Sequence, residues 1–266
     1  MMTDSLIDSL TNVWTLAKKN ITLYIKRGPV LIFGLMFPLF LVISWILGRT
    51  ITIAQIFIGI VAMTSFFTST AIAPVVFPIE TREKSLERLL SAPVSINEIL
   101  MGIILASSLY STLITFLIAI VFVLIVPTLM TSPLSLIIIL IGIAFMGILG
   151  SFLALLVSAT PSDMTSDIMI LMNIVKFPLL FIGGVFVPLS QLPSGLEFIY
   201  FFSPLTFLTE ILRGQVDGSN VIPLGLNLVI LLAWILILFA LNFSVHQKTM
   251  PKRFSEGSHG PKMKKK

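Results

Sequence analysis

Residues 78–98 read PIETREKSLERLLSAPVSINE. Seven of the nineteen positions from Glu80 to Glu98 are charged: Glu80, Arg82, Glu83, Lys84, Glu87, Arg88 and Glu98. Long apolar runs flank the segment on both sides, over residues 54–77 and 99–126, and neither run contains a charged residue. About 20 apolar residues cross a hydrocarbon core. A short stretch of mixed charge between two runs of that length reads as a connection between two membrane-spanning helices.

The rest of the 266-residue chain fits that reading. It is 56% apolar and 11% charged, with a mean hydropathy of +1.07. Soluble domains carry about 25% charged residues, and an apolar excess of this size cannot be hidden inside a soluble fold. The fold class is therefore an all-α integral membrane protein, expected as a single membrane domain. Six spans are predicted, near 29–48, 54–78, 97–126, 134–158, 167–187 and 222–245. Gly28-Pro29, Gly48, Pro127, Pro133, Pro161, Pro188 and Pro223 punctuate their ends. This divides the chain into a polar N-terminal segment (1–28), a six-span domain (29–245) and a basic tail (246–266), the last expected to be disordered and held near anionic lipid. The polar first 27 residues lack the apolar core and cleavage site of a secretory signal, so the first span is expected to be retained.

Lys and Arg set the orientation. One face would hold Lys18, Lys19, Lys26 and Arg27, the three basic residues of 78–98, and Lys248, Lys252, Arg253, Lys262, Lys264, Lys265 and Lys266. The other would hold Arg49 and Arg213. Fourteen against two places both termini in the cytoplasm of a multi-pass protein of the cell membrane. No basic patch is interleaved with aromatics, so the net charge of +5 reflects membrane orientation and not nucleic acid binding.

Residues 5–26 carry Leu6, Leu10, Val13, Trp14, Ala17, Ile21 and Tyr24 at helical spacing. That pattern predicts an amphipathic helix lying in the interface with Trp14 and Tyr24 as anchors, or alternatively an ordinary helix packed on a partner. At the other membrane face, residues 188–221 are too polar for a span and too apolar for a free loop. Leu192, Leu196, Ile199 and Phe202, then Leu205, Leu208 and Leu212, predict two short re-entrant helices around Ser203-Pro204.

Most catalytic chemistry is missing. There is no cysteine, which removes disulfides, thiolate sites and Cys nucleophiles. The two histidines, His246 and His259, fall at or in the tail, and there is no Gly-x-Ser-x-Gly elbow. No phosphate-binding Gly-x-x-x-x-Gly-Lys-Ser/Thr loop occurs, so the chain has no ATP site of that kind and is not read as an enzyme. Asp163 and Asp167 sit four apart in the loop SATPSDMTSD. They share a helix face and could hold a cation, or Asp163 could cap the fifth span.

Two stretches resemble the permease subunits of type 2 ATP-binding-cassette exporters, which move drugs, polysaccharides and lipid-linked substrates. The first is ETREKSLERLLSAPVSINEIL, with Lys84-Ser85-Leu86-Glu87-Arg88-Leu89-Leu90 leading to Pro93. Arg82 and Lys84 depart from the residues frequent in that family. The second is GGVFVPLSQLPSGLEFIYFFSPLTFLTEILRG, carrying Gly183, Gly184, Phe186, Pro188, Pro193, Pro204, Glu210 and Arg213. The resemblance implies that residues 80–93 form a coupling helix that docks on a separate ATP-binding subunit. Glu80, Glu83, Leu86, Glu87, Arg88, Leu89, Leu90 and Pro93 would then be the coupling residues, with ATP and Mg²⁺ held by the partner. It also implies a homodimer in the lipid bilayer exporting a hydrophobic or amphipathic substrate. By residue pattern, Leu86, Leu89 and Leu90 make one stripe and Glu80, Glu83 and Glu87 another, with Glu80 and Lys84 as an i, i+4 pair. The same pattern fits an amphipathic helix with a solvated charged face.

Lys176 stands inside the fifth predicted span, beside Asn173. A charge there costs about 2.5–3.5 kcal/mol on insertion scales. It is expected either to face a polar substrate pathway or dimer seam, or to snorkel to the interface. A stand-alone secondary transporter is the rival reading. It would need paired ionisable residues near the midplane and internal repeats, and the sequence shows one intramembrane lysine, no acid away from the ends of the spans and no clear repeat. A non-transporting membrane scaffold is a weaker third reading.

Overall fold

The structure is a computed structural model that describes residues 2–129, 132–193 and 195–257. Helix α1 (Met2–Tyr24) is followed by α2 (Gly28–Leu31) and α3 (Phe37–Ile46), then α4 (Ile53–Ser69), α5 (Ala73–Arg82) and α6 (Ser85–Leu90). The remaining helices are α7 (Ile96–Ile125), α8 (Pro133–Val157), α9 (Thr165–Phe181), α10 (Pro204–Val216) and α11 (Leu224–Gly257), and no strand occurs among the described residues. The starts follow local rules. Thr52 caps α4 and Ser95 caps α7, each in a capping box closed by Gln55 or Glu98. Ser132 caps α8, with Pro133 in its first turn.

Among the described residues, five helical stretches are long and apolar enough to cross a membrane: Gly28–Ile46, Ile53–Arg82, Ile96–Ile125, Pro133–Val157 and Leu224–Thr249. The sixth expected span, 167–187, instead forms α9, which has 17 residues. At 1.5 Å per residue it is about 25 Å long, short of a core about 30 Å thick. The helix stops at Phe181 because the chain turns at Gly183-Gly184, where Gly184 takes φ +71°.

Two of the spans are interrupted by proline. In the first, a π turn at Ile32–Met36 joins α2 to α3 just before Pro38. Proline has no N–H and its ring clashes with the preceding turn, which a wider turn absorbs. Gly34 lies in that turn, and a Cβ there would stand 2.9 Å from the Ala71 Cβ. In the second, the helix breaks at Thr70–Ile72, ahead of Pro74 and Pro78. Non-helical backbone at membrane depth must be satisfied within the protein. Here Ala71 N–H donates to Thr68 O at 3.2 Å, Val75 N–H to Ile72 O at 3.0 Å, and the Thr70 hydroxyl to Phe66 O at 2.8 Å.

The core forms around α4, which is buried from Phe57 to Ser69 apart from Ile60, between α7 and α8. Lipid tails are as apolar as leucine, so membrane helices associate through close packing and interhelical hydrogen bonds. The seam between α4, α7 and α8 is accordingly lined by small residues. The Thr68 hydroxyl donates to Ser111 Oγ at 2.9 Å, and that of Ser111 to Ser65 O at 3.0 Å. Gly150 of α8 sits against Ser69, and Gly147 against Thr112.

Three expectations about the ends are corrected. One face of α1 packs on α7, burying Leu16, Ala17, Asn20 and Tyr24. Trp14 is 57% exposed, but Tyr24 is 3% exposed and so is no interface anchor. The expected tail begins too early at 246. Helix α11 continues to Gly257, and His246 is buried with its ring 5.6 Å from that of Phe77. Residues 258–266, with His259 and the last lysines, lie outside the described residues. Finally, Asp163 does not cap α9. Met164 is the N-cap residue, and its N–H donates to the Ser162 hydroxyl, which in turn donates to Asp167 at 3.0 Å.

Candidate functional site: the two ends of the bundle

The charged segment 78–98 does not form one helix. Lys84 adopts φ +53°, a left-handed conformation, and separates α5 from the six-residue α6. The acidic stripe predicted across Glu80, Glu83 and Glu87 is therefore broken, and Lys84 does not pair with Glu80. Glu80 is 1% exposed and forms an ion pair with Lys19 of α1. It also accepts a hydrogen bond from the Tyr24 hydroxyl at 3.2 Å. Burial, and then the negative charge of Glu80, push the Tyr24 phenol well above its ordinary pKa, so it stays a donor at all physiological pH values. Glu80 thus roots the segment under α1 and does not lie on a docking face. A span-connecting sequence cannot reveal this pairing, because Lys19 lies 61 residues away.

The residues beyond it are presented differently. Leu86 is buried and Leu89 half-buried, while the side chain of Leu90 lies outside the described residues. Glu83 is exposed and 3.8 Å from Arg27. Glu87, Arg88 and Pro93 are exposed. The corner is closed by Arg88 Nη2 donating to Glu83 O at 3.4 Å. Leu86 anchors it from below, leaving a small rigid projection of mixed charge.

At the opposite end, α10 is strapped across the end of α9. The last carbonyls of a helix have no partner within it. Here the Ser203 hydroxyl donates to Leu179 O at 2.6 Å, while that of Thr206 is shared between Ile182 O at 3.3 Å and Tyr200 O at 2.9 Å, and that of Thr209 between Gly183 O at 3.0 Å and Thr206 O at 2.8 Å. Arg213 Nη2 donates to Gly184 O at 2.8 Å. Glu210, from the same helix, accepts from the N–H groups of Val221 and Ile222 at 2.6 and 3.0 Å, just before α11. The motif residues Gly183, Gly184, Glu210 and Arg213 are thus parts of one clasp between α9, α10 and α11. Of the two predicted re-entrant helices, the second is α10, with Leu205, Leu208 and Leu212 fully buried. The first is a pair of 3-10 turns, Leu189–Gln191 and Glu197–Phe202, held where the Tyr200 hydroxyl donates to Val187 O at 2.8 Å. Pro188 and Pro204 are buried, Phe186 is half-buried and Pro193 is exposed.

Next to the clasp lies a cavity of about 440 Å3, lined among others by Trp45, Arg49, Gln55, Phe186, Gln191 and Arg213. Deeper in the bundle, Lys176 is 0% exposed, with Nζ 4.6 Å from the centre of the Phe67 ring. It does not snorkel, and Nζ has no hydrogen-bond partner among the described residues. Asn173 is half-buried one turn earlier, and its Oδ1 is likewise unpartnered. The two are neighbours on α9 but do not bond to one another.

Taken together, multiple spans, proline-broken helices and a charged corner between two spans define a multi-pass helical membrane protein. The sequence profile of the ABC-2 type transporters matches residues 11–216, and the chain belongs to that family. Its members are the transmembrane components of such transporters and typically pair with an ATP-binding subunit. No curated protein matches the chain.

Proposed function

We propose that this chain is the permease subunit of an ATP-driven exporter, acting as a homodimer with a separate ATP-binding subunit on each protomer. In this reading the termini and the 78–98 corner are cytoplasmic. The short α9, extended through Ile182–Pro188 and the α10 clasp, completes a sixth crossing. The substrate is hydrophobic or amphipathic. ATP-driven closure of the partner pair would shift an inward-open to outward-open equilibrium, because ATP binds one arrangement better.

The observation that carries the reading is the corner at α5–α6. It exposes Glu87 and Arg88 on a short helix while Leu86 and Glu80 fasten its base to the bundle. A load applied there passes directly into α5, and from α5 to the proline break in the second span. A merely solvated loop would have no need of the buried ion pair. The rival secondary transporter would require an ionisable partner for Lys176, and among the described residues Nζ has none.

The test is Glu87→Lys in the reconstituted complex. Charges docked at a desolvated interface cost about 2–5 kcal/mol when one is truncated, whereas exposed pairs cost under about 1 kcal/mol. The variant touches no span, so insertion should be normal. Co-purification of the ATP-binding subunit should fall at least tenfold, and substrate-stimulated ATP hydrolysis should be lost. Wild-type retention of that subunit together with wild-type transport would assign Glu87 to a solvated face.

A further inference from the structure

The cavity beside the clasp gathers Arg49 and Arg213, the two cations expected on the face opposite the termini. They come from distant parts of the chain, the turn after α3 and the middle of the clasp. No carboxylate lines the cavity with them. Arg213 is 3% exposed, and although its Nη2 holds Gly184 O, its Nε has no hydrogen-bond partner. Glu210 forms an ion pair with that Nε at 4.0 Å through Oε1 and uses Oε2 for two backbone N–H groups, so Arg213 is charge-compensated but keeps an N–H without a hydrogen-bond acceptor among the described residues. Arg49 is exposed and has no ion-pair partner among the described residues. Gln55 gives its carbonyl oxygen to the Thr52 N–H, so what it can offer a ligand is donor NH2. The polar side of the cavity therefore presents two guanidinium groups and an amide NH2.

Its other side is apolar. Trp45 meets Phe186 edge to face at 5.7 Å, and Phe186 stacks on Phe181 at 5.4 Å. Phe181 is itself 60% exposed on the outer surface of the bundle, so this aromatic row connects the cavity to the surface that lipid would occupy. Planar guanidinium groups match phosphate oxygens in paired hydrogen bonds, and a buried donor without an acceptor is costly to leave empty.

From these features we infer that the cavity is a binding site for a phosphate-type oxyanion carrying an apolar group, the anion between Arg49 and Arg213 and the apolar part along Trp45 and Phe186. The site does not depend on which substrate is exported or on the ATP-binding subunit. Its test therefore uses the purified permease chain in neutral detergent, with no nucleotide and no partner.

Binding of dioctanoyl phosphatidylglycerol and of dioctanoyl phosphatidylcholine would be measured by titration calorimetry, with inorganic phosphate as a third probe. The anionic lipid should bind at least about tenfold more tightly than the zwitterionic one, with affinity falling as salt rises. Arg49→Gln, at an exposed position whose side chain makes no hydrogen bond or ion pair among the described residues, should weaken it about tenfold, and Arg49→Lys by less. Inorganic phosphate that binds alone with the same dependence on Arg49 identifies a soluble anion as the natural ligand. Phosphate that fails to compete while the lipid binds identifies a lipid headgroup. Equal affinities for the two lipids with no phosphate binding would overturn the proposal, as would equal affinities for the parent and Arg49→Gln. Loss of coupling in Glu87→Lys would leave these affinities unchanged, so the failure of either reading is distinguishable from that of the other.

Discussion

Lys176 is the residue whose surroundings fit it least. Its stem fills a space between α9 and α4, and its ammonium rests on the Phe67 ring. A cation–π contact contributes about 2 kcal/mol when desolvated, which does not offset the cost of withdrawing an ammonium from water without an acceptor. An apolar side chain of similar length would pack at least as well. Lys176→Met should therefore raise the thermal midpoint of the purified protein by several degrees while lowering transport. A lower midpoint would show that the ammonium has an acceptor. The sequence flagged Lys176 as an intramembrane charge that would face a polar pathway or dimer seam, or snorkel; the structure instead encloses it within the chain. Its neighbour Phe67, by contrast, could not be named from a chain in which aromatic residues are common. Glu80 shows the same limit more sharply. Its position in a run of mixed charge placed it on a surface, and only the arrival of α1 turns it inward.

At the scale of elements, what was legible was what local chemistry encodes. The apolar runs, the helix starts expected near 54 and 97 and the Ser203-Pro204 break all appear close to where the sequence put them. The misses arise where tertiary packing overrides a continuous apolar pattern. The break at Thr70–Ile72 was hidden because hydropathy does not register a turn whose backbone is satisfied by neighbouring hydroxyls, although Pro74 and Pro78 were its signal. The length of α9 was overestimated because Val185, Phe186 and Val187 extend the apolar run past the glycine turn. The seating of α1 was also invisible, since it depends on Gly102 of α7. A Cβ there would stand 2.6 Å from the Leu16 Cβ, with Val13 O at 3.4 Å. Gly102→Leu should lift α1 from the face of α7. Limited trypsin digestion at Lys18 and Lys19 should then run several-fold faster in a protein that remains monodisperse. Unchanged protection would show that α1 is held by the Glu80 ion pair alone.

On the scale of the whole molecule, the clasp divides the chain in an uneven way. Helices α4, α7 and α8 satisfy their own backbones and pack through small residues, so each can settle in lipid as it is made. Helix α9 cannot. It is short, it holds a lysine, and among the described residues four carbonyls at and beyond its end meet side-chain donors from Ser203 and α10, which are translated later. In hydrocarbon each unsatisfied carbonyl costs several kcal/mol. A chain halted at residue 190 should therefore leave a cysteine at Leu180 open to a membrane-impermeant thiol reagent, whereas a chain halted at residue 222 should protect it. The native sequence, having no cysteine, adds no background. Equal protection in both would mean that α9 inserts unaided. With α9 as the proposed sixth crossing, the clasp has a consequence during biosynthesis: the ribosome must deliver about 60 residues, from Thr165 to the loop before α11, before any of them can leave the insertion machinery, and that fifth of the protein is committed to the membrane as a single event.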